Sequence, residues 1–121
     1  MRTAQELFDI IVAHLRAQGS KALNGNECCY RTPDGKKCAI GCLIPDSIYS
    51  NRMECKDFLT ISRLGFFENC LDLKEEIRAN TDLLGGMQII HDQHPVSSWE
   101  VKFSALAARR ELLYSPPVTK K

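Results

Sequence analysis

The chain has 121 residues, 44% of them apolar and 26% charged, and a formal net charge of +1. That length suits one domain with a core of its own, and the composition excludes a disordered chain. A charge this close to zero also argues against a nucleic-acid binder that works by neutralising phosphates.

The apolar N-terminal segment is interrupted by Glu6, Asp9 and His14, so it supplies neither a signal-peptide core nor a membrane span. The expectation is a cytoplasmic protein with no membrane partner. Its six cysteines are therefore read as reduced thiols or metal ligands before disulfides.

Thr3 with Glu6 forms a capping box, Leu7, Phe8, Ile10, Ile11 and Leu15 an apolar stripe, and Gly19 a C-cap. His14 lies in that stripe and reads as a core-edge histidine with one hydrogen-bond partner. Asn24-Gly25-Asn26 reads as a turn in a polar connection. Cys28–Arg31 and Lys37–Gly41 read as the two strands of a hairpin around Thr32-Pro33-Asp34-Gly35-Lys36. Pro45 or Asp46 opens a helical turn to Tyr49. Two short helices follow, split near Gly65, and a third runs from the caps at Asn80–Asp82 to His94, where Pro95 stops it. Gly85-Gly86 inside that helix calls for a later start or a close neighbour. Ser97 and Glu100 make a second capping box for a last helix carrying Trp99, Phe103, Leu106 and Leu113 on one face. The fold class is thus α+β, mostly helical: an N-terminal helix, one β-hairpin, then about four short helices. Residues 1–115 form the single globular domain, and 116–121 a flexible tail.

With Thr32 facing Lys36, Arg31 pairs with Lys37 and Tyr30 with Cys38. Alternation then puts Cys28, Tyr30, Cys38 and Ile40 on the core face, and Cys29, Arg31, Lys37 and Ala39 on the other. Cys28 and Cys38 are diagonal neighbours about 7–8 Å apart, too far for an unstrained disulfide. Two cations opposite each other are unfavourable unless a carboxylate, phosphate or partner acid lies between them. Arg31 and Lys37 therefore mark a face able to hold a small anion, a nucleotide included.

Three chemistries compete around this hairpin. Cys38 or Cys28 with His91 and Asp92 would make a nucleophilic site, although adjacent His91 and Asp92 should point to different helix faces. Cys28, Cys29, Cys38, Cys42, His91 and His94 are the available zinc ligands, with Cys28, Cys38, Cys42 and His91 the preferred set, but the cysteine spacing forms no recognised knuckle. Binding without catalysis draws on Arg31, Lys37, Tyr30, Asp46, Tyr49, His91 and Trp99. No phosphate-loop or dinucleotide motif is present and no cofactor is expected.

The run Cys28-x-Tyr30-Arg31 … Asp34-Gly35-x-Lys37-Cys38-Ala39-Ile40-Gly41-x-Leu43-Ile44-Pro45-Asp46-x-x-Tyr49 resembles a group of small proteins of bacteria and their phages without an assigned activity. The preceding helix, the Met87–Asp92 segment and a tryptophan opening the last helix extend the resemblance over most of the chain. Cys28 and Cys38 match it; Cys29, Cys42, Cys55 and Cys70 are additional. The resemblance implies a phage or prophage accessory protein that engages a host protein, defence systems included.

Overall fold

Thr3 accepts from the Glu6 amide and donates its own to the Glu6 carboxylate, so helix α1 (Ala4–Gln18) starts with a complete capping box and ends on left-handed Gly19. The computed structural model describes residues 1–118. Leu7, Phe8, Ile11, Val12 and Leu15 form the buried stripe of α1, while Ile10 sits at its margin, 36% exposed. Helices α2 (Phe58–Arg63), α3 (Leu71–Ala79), α4 (Thr81–Gln93) and α5 (Trp99–Arg109) complete the α part. Leu83, Leu84, Met87 and Ile90 of α4 meet Trp99, Phe103, Leu106 and Ala107 of α5 in the same core as α1.

Helix α4 runs unbroken through its glycine pair. A Cβ on Gly86 would stand 3.2 Å from Leu106 Cδ1, so the missing side chain lets α5 pack closely. The expected capping box at Ser97 and Glu100 does not form. A 3-10 turn at Val96–Ser98 precedes α5, and Glu100 instead takes a bidentate pair of hydrogen bonds from Arg16 on α1. Nor does α5 reach Leu113. Glu111 adopts φ 57° and the Leu112 amide donates to Ala107 at 2.8 Å, a Schellman ending. The chain then crosses α1, where the Gln5 side-chain carboxamide donates to the Leu113 carbonyl and accepts from the Leu113 N–H. Of the tail expected at 116–121, Pro116–Val118 are exposed and irregular, and 119–121 lie outside the described residues.

The architecture is α+β, mostly helical, with one two-stranded antiparallel hairpin, but the hairpin lies earlier than expected. Strands β1 (Leu23–Asn24) and β2 (Glu27–Cys28) pair Leu23 with Cys28 and Asn24 with Glu27 around left-handed Gly25. Between the predicted strands only the bridge Arg31–Lys37 forms, in the expected register. Hydrogen bonds from Thr32 to Lys36 and from Cys38 to Tyr30 flank it, and Gly35 turns at φ 89°. The ladder stops because its remaining groups have other partners. The Tyr30 and Arg31 amides donate to the Glu54 carboxylate at 2.9 and 3.1 Å, and the Cys38 carbonyl accepts from Cys42. Gln18 of α1 takes both the amide and the carbonyl of Lys37, and His14 also reaches that carbonyl. Ile40 then enters a 3-10 turn, so Ala39, expected on the outer face, is buried alongside Cys38.

Candidate functional site

The polar centre of the molecule is a hydrogen-bonded chain tying α4 to Ala22, which follows α1, and to Ile40. His91 is fully buried and its ring stacks on Trp99, with centroids 5.8 Å apart. The Ala22 amide, which can only donate, points at His91 Nε2 at 3.0 Å. Nε2 must therefore offer a lone pair, and the ring proton sits on Nδ1. Nδ1 donates in turn to Asp92 Oδ1 at 2.6 Å. The two neighbours were expected to diverge. Nδ1 lies close to its own backbone, within reach of a short side chain on the next residue. Gln88, one turn earlier, donates to the same Asp92 oxygen at 2.9 Å and accepts from the Ile40 amide at 3.0 Å.

Cys28 closes this group. Burial, reinforced by the Asp92 charge and by a hydrogen bond to it, pushes the Cys28 thiol up to about 11. Burial also raises Cys38 and Cys42, each to about 12. Cys38 accepts from the Gly41 amide, and the Cys42 thiol donates to the Ala39 carbonyl. Burial would raise Asp92 too, but the hydrogen bonds from His91 and Gln88 outweigh it and leave this carboxyl below its ordinary value. The group thus pairs an ionised carboxylate with protonated thiols and a neutral imidazole.

Among the described residues, the ligand atoms of Cys28, His91 and Asp92 come within 4.8 Å of one another, close enough for one cation. The tautomer opposes such a use. Binding metal at Nδ1 would move the ring proton to Nε2, which faces the Ala22 donor. Cys38 and Cys42, the other zinc ligands suggested by sequence, do not join the cluster. The same tautomer removes His91 as a base for a cysteine, since its lone pair is already taken.

Asp92, Gln88, Ile89 and Gly85 line up along one face of α4 and floor a cleft of about 470 Å³. Its opposite wall is Cys28–Tyr30 and the segment Cys55–Phe58. Tyr30 is pinned there by its hydroxyl, which donates to the Lys56 carbonyl at 2.5 Å. A second cleft, of about 480 Å³, lies on the other side of Cys28–Thr32 and is lined by Arg31, Tyr49 and Glu54 among others.

The Arg31–Lys37 pair does have a carboxylate between its members, and it comes from this chain. Asp46 stands 2.8 Å from Arg31 Nη1 and 3.9 Å from Lys37 Nζ. Arg31 also donates to the Ile44 carbonyl and lies 4.7 Å above the Tyr49 ring. The Tyr49 hydroxyl donates to Glu54. The seven binding candidates thus divide among three places. Arg31, Lys37, Asp46 and Tyr49 meet on one side, Tyr30 lines the α4 cleft, and His91 with Trp99 lies in the core.

Sequence reasoning passed over Gln88, Gln18 and Glu54, which organise these places. Gln88 and Asp92 have helical i, i+4 spacing, a legible signal. Gln18 and Glu54 act across long loops and leave no local pattern. The chain matches no family model, no curated protein and no solved structure.

Proposed function

We propose that this is a non-catalytic binding protein of the bacterial or phage accessory kind. In this reading it works in the cytoplasm of a bacterial host and engages a host protein, a defence component included, through the α4 cleft. The observation that carries the proposal is the closed hydrogen bonding around His91. The imidazole lone pair is spent on Ala22 and the neighbouring thiols are held protonated, so the residues that would do acid–base or nucleophilic work are committed to structure. An accessible cleft whose cysteines and histidine are committed in this way is suited to recognition.

The test is co-purification from a bacterial host followed by mass analysis, with wild type beside Ile89→Glu. Ile89 is half-exposed on the cleft floor, so this change should leave the fold intact and abolish capture of the same partner. Turnover of a substrate that Cys28→Ser abolishes would overturn the reading.

A second reading concerns the cationic pair. Asp46 is 87% exposed, and Arg31 Nε is a buried donor without a partner. A small anion, nucleotide phosphate included, would then take the place of Asp46 against Arg31 and Lys37. Asp46→Ala should strengthen phosphate binding measured by calorimetry, and no heat from either protein sinks this version.

A further inference from the structure

The α4 cleft combines an apolar wall with a carboxylate that forms no ion pair with a lysine or arginine among the described residues. Asp92 is 32% exposed at its side chain, and its ring partner His91 is the neutral tautomer. Oδ1 takes the hydrogen bonds of His91 and Gln88, which orient the carboxylate, and Asp92 lines the cleft. Among the described residues no lysine or arginine forms an ion pair with Asp92, nor with Asp57 on the opposite wall. The nearby cations of the chain keep their charge but are held off both carboxylates by main-chain carbonyls: Lys21 Nζ by that of Asp92 at 3.3 Å, and Lys56, which also lines the cleft, by that of Arg52 at 2.8 Å. Phe58, Tyr30 and Ile89 supply the surface an aliphatic stem would cover.

We infer that the cleft takes a basic side chain of the partner protein, its stem against Phe58 and Ile89 and its charged head on Asp92. This rests on the proposed binding function and specifies the partner's chemistry. A partly buried carboxylate gains most from a cation that also displaces water from the apolar wall. The two aromatic rings add attraction for the same charge. An acidic or phosphate-bearing segment is disfavoured there because Asp92 and Asp57 outnumber Lys56, the one lining cation among the described residues.

The test uses Nα-acetyl-lysine methylamide and its neutral counterpart Nα-acetyl-norleucine methylamide, titrated into the 15N-labelled protein by NMR. The lysine probe should shift the amides of Cys28, Gly85, Gln88 and Ile89, and bind about tenfold more tightly than the norleucine probe, the worth of one charge-assisted hydrogen bond. Asp92→Asn keeps an oxygen for His91 and Gln88 but removes the charge, so the preference for the lysine probe should shrink severalfold. In the wild type, added salt should weaken the lysine probe alone, a readout that needs no variant. Equal binding of the two probes by the wild type, or salt-independent lysine binding, overturns the inference. If it fails while Ile89→Glu still abolishes partner capture, the basic side chain is wrong and the binding function stands. If the lysine probe binds as expected but Ile89→Glu leaves capture intact, the partner uses another surface.

Discussion

Replacing Arg2 by alanine removes two of the three donors that hold Glu76. The Glu76 side chain is 1% exposed, and Arg2 supplies its amide at 2.6 Å, Nε at 2.9 Å and Nη2 at 2.8 Å. Deleting one partner of a buried ion pair costs about 3–5 kcal/mol, because the other charge is left without compensation. Arg2 is 35% exposed, so water reaches part of the gap; a discounted loss of about 2–3 kcal/mol is expected. The Arg2 side-chain hydrogen bond holds the Glu76 carboxyl below its ordinary value. A carboxyl lowered on folding adds stability above its unfolded pKa, near 4.3, and that contribution disappears as pH falls through the folded value. Urea unfolding at neutral pH should therefore show the full loss in Arg2→Ala, and the gap between the two proteins should narrow on acidification below about pH 4. Arg2→Ala/Glu76→Gln should recover part of the loss, since a neutral amide is cheaper to bury. A loss under about 0.5 kcal/mol, or a gap independent of pH, would refute the reasoning.

Three further outcomes follow from the site and its supports. A Cβ at Gly41 would lie 2.0 Å from the Tyr30 carbonyl oxygen, so Gly41→Ala should cost about 3 kcal/mol or more by thermal melting, or prevent folding. Iodoacetamide labelling of the native protein, read by mass spectrometry, should modify exposed Cys55 first and Cys38 last, because Cys38 is buried and its thiol is raised to about 12. In 15N NMR the His91 ring should carry its proton on Nδ1, and protein purified without chelator should hold far less than one zinc per chain; stoichiometric zinc would contradict the tautomer drawn from Ala22.

Much of the fold was legible locally. The capping box at Thr3, the left-handed turns at Gly19 and Gly35 and the break near Gly65 depend on neighbours a few residues away, and they form where the residues call for them. The errors arose wherever a distant group outbid a local partner. The strand after Lys37 dissolves because Gln18, His14 and Cys42 take its backbone groups. Glu100 leaves its capping role for Arg16. Of the site, the sequence marked Cys28, His91 and Asp92 as chemically able, but a residue type carries no record of which of its atoms is already bonded.

The Arg31–Lys37 pairing separates the two kinds of information. From the turn at Thr32–Lys36 the sequence alone determined that these two cations stand side by side, a repulsion that an anion between them would relieve, because register and alternation are local geometry. Only the tertiary structure decided that an acid of the same chain, Asp46, stands there, and that the Ala22 amide occupies the lone pair of His91. Both depend on contacts between segments far apart in the chain, whose positions are set by packing of the shared core.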